Sequence, residues 1–238
     1  MPGPLSIFIP LEIGAKLSPM CGRYLLTSPV QAMTQLVMFD QLPNLRPNYN
    51  VAPTHDMPIL RRKKGDRRCE LAMARWGLIP HWAKDAKIAY STINARSETA
   101  ASKPAFRDAF KQRRCLVPAD GFFEWRRNGK DKQPYLIRLK GGELFAFAGL
   151  WSTWRSPEGE DITSYTIMTT EPNALTAEIH NRMPVILARD DLERWLALDR
   201  DSADLLKPYP ADDMEAYPVS KRVGNVRNND AELIEPLS

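Results

Sequence analysis

Short apolar runs, several with β-branched or aromatic residues and bounded by polar, Gly or Pro turn signals, punctuate this chain and read as strands. Residues 57–62 and 67–75 make one such pair around the polar turn Lys63-Lys64-Gly65-Asp66. Residues 114–117, 122–127, 135–140, 145–150 and 165–169 read as five more strands, with Gly129 and Gly141-Gly142 marking hairpin turns between them. Helical stretches are few and short. Ser28-Pro29 opens one that runs to about Phe39, because serine can cap a helix and proline suits its first turn. Residues 104–111, 173–179 and 190–198 are the others, the last opened by Asp190 as a cap. Residues 43–53, rich in Pro and Asn, read as a loop, residues 80–103 as mostly loop with short helical pieces, and the tail as irregular. This order predicts an α+β fold, a single antiparallel β-rich domain with an open barrel-like sheet and peripheral helices.

Composition narrows the class. With 238 residues, 43% of them hydrophobic and 26% charged, the chain has an ordinary globular make-up. Disordered, collagen-like and coiled-coil chains are excluded, and no apolar run approaches the roughly 18 residues needed to span a bilayer. Residues 1–19 stand apart, with four prolines (Pro2, Pro4, Pro10 and Pro19) and no signal-peptide pattern. They read as a poorly ordered extension, or as sequence upstream of the native start, ahead of a domain over 20–238. A net charge of +4 permits nucleic acid as a partner without demanding it. The three Cys (Cys21, Cys69, Cys115) and three His (His55, His81, His180) are scattered, which argues against a disulfide framework and against zinc. The expectation is a cytoplasmic monomer with no metal, no cofactor and no membrane contact, nucleoid-associated when bound to DNA.

Candidate chemistry begins at Met20-Cys21-Gly22-Arg23. A lone Cys is most often a small buried hydrophobe. If translation starts at Met20 and the Met is removed, however, Cys21 carries a thiol and a free α-amine on adjacent carbons. Their reference pKa values, about 8.5 and about 7.7–8.0, leave a usable nucleophilic fraction of both near neutrality. Such a pair captures an aldehyde in two steps, as a Schiff base and then as a five-membered thiazolidine. Three polar residues in structured surroundings come next. Asn94 and Arg96 share one side of an extended segment. Glu124 lies between Phe123 and Trp125, where a carboxyl can have a raised pKa and act as acid or base. His180 falls at a helix end and can carry protons near neutral pH. Taken singly, a turn Asn, a solvated Glu and a capping His explain these residues as well.

Six segments occur in order: Met20-Cys21-Gly22-Arg23-Tyr24, Asn50-Val51-Ala52-Pro53-Thr54, Arg75-Trp76-Gly77-Leu78-Ile79-Pro80, Ile93-Asn94-Ala95-Arg96-Ser97-Glu98, the run from Arg114 to Trp125, and His180-Asn181-Arg182-Met183-Pro184. Together they resemble the SRAP family, the SOS-response-associated peptidase or abasic-site-processing proteins, from Met20 to about Pro236. The resemblance implies recognition of an abasic site in single-stranded DNA and a covalent crosslink to its ring-opened aldehyde, with possible autoproteolytic and lyase activity. By the same match Cys21 is the nucleophile, Asn94 holds the abasic sugar, Glu124 assists ring opening and Schiff-base formation, and His180 handles protons at the sugar oxygen. Arg23, Asn50, Pro53, Arg75, Trp76, Arg96 and Arg182 are the candidate DNA contacts, the arginines for phosphates and Trp76, like Trp82, for stacking on bases. A buried core position explains Trp76 equally well. Two other functions stay open: a cysteine peptidase using Cys21 and His180 with Glu124 or Asn94, and a non-covalent single-stranded-DNA-binding module. In the chain as given, Cys21 has no free α-amine.

Overall fold

A computed structural model of the chain describes residues 22–39, 43–62, 68–199 and 201–237. In chain order the strands are β1 (Tyr24–Leu26), β2 (Asn48–Val51), β3 (Asp56–Arg62), β4 (Cys69–Trp76) and β5 (Asn94–Arg96). Two short helices follow, α1 (Ser97–Ala100) and α2 (Arg107–Gln112). Next are β6 (Arg114–Ala119), β7 (Gly121–Asn128), β8 (Asp131–Leu139), β9 (Phe145–Arg155) and β10 (Asp161–Thr170). Helix α3 (Ala174–Ala177), β11 (Met183–Pro184), β12 (Ile186–Leu187), α4 (Leu192–Leu196) and β13 (Met214–Pro218) complete the set.

Five strands close a ring in the order β10-β4-β3-β6-β9, and β9 returns to β10 over seven paired positions from Asp161↔Arg155 to Ile167↔Gly149. The barrel is therefore closed, one step beyond the open sheet expected. All its pairings are antiparallel except β4 with β10. Strand β6 is buried along its whole length, which is why it shows no alternation. It lies tightly against β9: a Cβ at Gly149 would sit 2.8 Å from both Cys115 Sγ and Val117 Cγ2, so only glycine fits. A second sheet, β13-β8-β7-β1-β2, packs on the barrel, and its inner residues Tyr24, Leu26, Phe122 and Ile137 join the same core. Strand β5 runs parallel beside β10, with Asn94 opposite Ile167 and Arg96 opposite Thr169.

Several local expectations change. The helix expected over 28–39 is a six-residue 3₁₀ turn, Val30–Gln35, without a side-chain cap. The Ser28 hydroxyl donates to Asp120 instead (2.6 Å), whose carboxylate also accepts from the Thr27 and Ser28 amides (2.5 and 2.7 Å). Asp190 caps nothing by its side chain; it lies within a 3₁₀ turn, Arg189–Asp191, that leads into α4. The loop expected over 43–53 contains β2, and the tail contains the edge strand β13. The extension 1–19 and the turn Lys63–Asp66 lie outside the described residues.

Candidate functional site

Cys21 lies outside the described residues, so the site is built from its chain neighbours. Strand β1 pairs with β7 through Tyr24↔Phe122 and Leu25↔Gly121, and the Phe123 amide donates to the Arg23 carbonyl (3.0 Å). Continued by one residue, that register sets Gly22, the neighbour of Cys21, against Glu124. Glu124 is only 3% exposed, between the fully buried Phe123 and the half-buried Trp125.

An aromatic floor fixes β1 from below. The Tyr24 and Tyr165 hydroxyls are 2.7 Å apart, Tyr24 meets Trp76 edge-on at 5.2 Å, and Trp76 stacks on Tyr165 at 6.3 Å. Burial pushes both tyrosine hydroxyls well up from their ordinary pKa. The Trp76 indole N–H donates to the Ile93 carbonyl (2.9 Å). Ile93 precedes Asn94, so one set of rings ties the strand that leaves Cys21 to the strand that carries Asn94. Trp76 is 0% exposed and cannot stack on a base; the core explanation is the correct one. Trp82, in the loop after β4, is 49% exposed and can.

His180 is set by the end of α3. Asn173 and Thr176 form a reciprocal capping box at the helix start, and the His180 amide then donates to the Thr176 carbonyl (2.8 Å). His180 Nδ1 lies 3.2 Å from the Arg182 amide nitrogen and 3.3 Å from the Arg182 carbonyl oxygen, so the ring is held on the Arg182 backbone through that nitrogen. The Arg182 guanidinium forks onto Glu98 (2.5 and 3.0 Å) and donates to the Thr169 carbonyl (2.7 Å). Thr169 is paired with Arg96 across β10 and β5. The His180 turn is thereby bolted to the Asn94–Arg96 strand and to α1. This fork holds the Glu98 carboxyl below its ordinary pKa. The Arg182 side chain, expected to face a phosphate, is 12% exposed and pairs with the half-exposed Glu98.

Asn50 is corrected as well. It is 1% exposed and donates to the carbonyls of Val223, Asn225 and Asn228 (3.2, 3.1 and 2.9 Å), so it braces a C-terminal loop and faces no ligand. Arg23 turns inward to the same place, donating to Asn50 Oδ1 and the Val223 carbonyl (both 2.7 Å) and to the Gly224 carbonyl (3.3 Å). Pro53 is half-buried in a turn clipped to the end of β4 by the Thr54 amide on the Trp76 carbonyl (2.9 Å). Arg75 leans on Asp56 at 3.5 Å. Arg96 is exposed, and its side chain makes no hydrogen bond or salt bridge among the described residues while its charge acts on Glu98. Cys115 and Cys69 are buried, and burial pushes the first thiol far up and the second up to about 11. His55 and His81 stay outside this arrangement; the His55 ring accepts from the Ala52 amide (3.3 Å). Among the described residues no group of three or more His, Cys, Asp or Glu side chains could hold a metal ion. Sequence reasoning missed Tyr165 and the bracing by Asn50, since neither contact has a local pattern.

A closed barrel with a second sheet packed on it, whose strand β1 runs beside a buried carboxyl, and with an Asn strand and a His turn braced together, defines a class of β-barrel protein with a polar site beside β1. The chain belongs to the SOS response associated peptidase (SRAP) family, whose model matches residues 20–226. It is 47% identical over 224 residues to the abasic site processing protein YoqW of Bacillus subtilis (strain 168), covering 91% of this chain and 99% of that protein. It is 34% identical over 227 residues to the abasic site processing protein HMCES of Gallus gallus, covering 81% of this chain and 67% of that one. A crystal structure of a protein from Bacteroides thetaiotaomicron superposes with a TM-score of 0.82 at 30% identity, covering 92% of this chain and all of that one.

Proposed function

We propose that this protein captures abasic sites in single-stranded DNA by forming a thiazolidine between Cys21 and the sugar aldehyde. The reading requires a chain that begins at Cys21, so that its α-amine is free. An abasic deoxyribose is mostly a closed hemiacetal, and opening it moves a proton from the sugar hydroxyl to the ring oxygen. Glu124, withdrawn from water on β7 and opposite the register of Gly22, suits that transfer. The amine then adds to the carbonyl carbon and one water leaves, which gives the Schiff base. The thiol adds across the C=N bond, its proton goes to the nitrogen, and the ring closes. An open imine would allow β-elimination of the 3′ phosphate, so ring closure protects the strand. His180, held at the end of α3, can exchange a proton with the sugar oxygen, and Asn94 can hold the sugar by hydrogen bonds. Arg96, exposed at the edge of this site, suits a phosphate, and Trp82 suits an unstacked base.

The observation that carries the reading is the convergence of the β1 register on Glu124 while the other two thiols are buried and inert. The names of the curated relatives support it. The test mixes protein beginning at Cys21 with single-stranded DNA bearing one abasic site and runs a denaturing gel. A shifted band, absent with intact DNA and absent in Cys21→Ala, is expected. Peptide turnover in trans with no DNA adduct would instead make the protein a cysteine peptidase.

A further inference from the structure

The C-terminal loop, residues 219–237, belongs to none of the roles assigned above, yet its hydrogen bonds gather beside the site. Its neck is closed by the Val219↔Pro236 bridge and by the Leu237 amide on the Pro218 carbonyl (2.9 Å). Within it Arg222 pairs with Asp230 (2.8 Å) and Glu232 (2.6 Å), and Asn228 Nδ2 donates to the Arg222 carbonyl (2.8 Å). Underneath, Val223 and Leu233 are fully buried with Leu25 of β1 and Phe123 of β7. Above, the carbonyls of Val223, Gly224, Asn225 and Asn228 take hydrogen bonds from Asn50 and Arg23, while Gln133 and Tyr217 hold the neck at the Val219 and Ile234 carbonyls (2.8 and 3.1 Å).

The bonding is specific in kind. Asn50 uses its amide nitrogen on three loop carbonyls and its oxygen on Arg23, so it both gathers the loop and orients the arginine. Arg23 accepts that orientation through donors aimed at neutral oxygens, with no carboxylate partner among the described residues. Arg23 is two residues from Cys21 in the chain, and its backbone carbonyl accepts from the Phe123 amide of β7 (3.0 Å).

We propose that the loop 219–237, acting through Asn50 and Arg23, is a clamp that positions the amino-terminal nucleophile. Asn50 and Arg23 are positioning residues and touch no reacting atom. The inference rests on the crosslinking function proposed above, because it concerns where the Cys21 amine and thiol are aimed. A loosened clamp leaves DNA binding in place and lowers the fraction of encounters in which the amine meets the carbonyl carbon.

The test follows two readouts on Asn50→Ala, Asn50→Asp and Arg222→Ala. The first is crosslinking to single-stranded abasic DNA with protein beginning at Cys21, resolved into a maximal rate and a half-saturating DNA concentration. The second is amide hydrogen exchange of the full chain without DNA. Asn50→Ala is expected to lose about tenfold or more in maximal rate, with the half-saturating concentration within about threefold of wild type. Exchange is expected to rise at Arg23 and Tyr24 as well as in the loop. Asn50→Asp keeps an acceptor for Arg23 but cannot donate to the carbonyls, so it is expected to be as slow as Asn50→Ala. Should both Asn50 variants fail to fold, Arg222→Ala loosens the loop from within, and a few-fold loss of maximal rate with raised exchange at Arg23 is expected. A folded Asn50→Ala with wild-type exchange at Arg23 and Tyr24, or with a maximal rate within about twofold of wild type, overturns the clamp. So does Asn50→Asp at the wild-type rate, or Arg222→Ala with a loosened loop and an unchanged rate. If wild type itself forms no adduct, the crosslinking function falls, while the exchange data still decide whether the loop holds β1.

Discussion

The two tryptophans near the site have opposite fates, and burial decides between them. Trp76 is fully enclosed, hydrogen-bonded to Ile93 and packed on two tyrosines. Trp76→Ala should cost about 3–5 kcal/mol of stability, read by denaturant unfolding. Trp82→Ala should leave stability within about 0.5 kcal/mol and weaken single-stranded-DNA binding by about 1–3 kcal/mol, read by titration. Equal loss of stability in both would mean that Trp82 is a core residue. Glu124→Gln keeps the shape of a nearly buried side chain and removes its proton exchange. It should slow crosslinking by about 10²-fold or more with little change in DNA binding; equal losses of both would refute an acid–base role.

At the scale of elements, the strands were legible as short apolar runs bounded by turn residues and not as an alternation, since β3 and β7 are buried over consecutive positions. Strands β3, β4 and β7 came out within two residues of their observed bounds, whereas β10, expected over 165–169, runs from Asp161 to Thr170. Strand β2 was hidden by Pro and Asn, and the three-residue β5 is too short to show a period. Asn94, Glu124 and His180 were each picked out from local surroundings, but their braces were not. The Arg182–Glu98 fork joins residues 84 apart, and such a contact exists only once β5 lies beside β10. That fork also sets a pH dependence. It depresses the Glu98 pKa, so its contribution to stability is present above the unfolded value and is lost as pH falls through the folded one. Wild type should therefore melt higher than Glu98→Gln near neutrality, and the two should converge as pH falls below the ordinary range of a Glu carboxyl. The difference will be small, because Glu98 is half exposed. A gap that widens on acidification would contradict the assignment.

Across the whole molecule the net charge of +4 is too small to draw DNA by itself, so affinity must come from a few placed cations. Arg96 is the best placed, exposed at the end of β5. Arg96→Ala should weaken binding and reduce the slope of log affinity against log salt by ~0.7, the loss of one phosphate contact on a single strand. An unchanged slope would remove it from the backbone track. On the function proposed, the barrel, the aromatic floor and the C-terminal loop share one task, which is to hold the terminus of a chain that begins at Cys21. Intact-mass and peptide mapping of the adduct measures whether that terminus reacts. The account predicts a mass equal to protein plus DNA less one water, resistant to borohydride because no imine remains, with the modification on the peptide that begins at Cys21. An adduct on a lysine, or one that borohydride reduces, would contradict it.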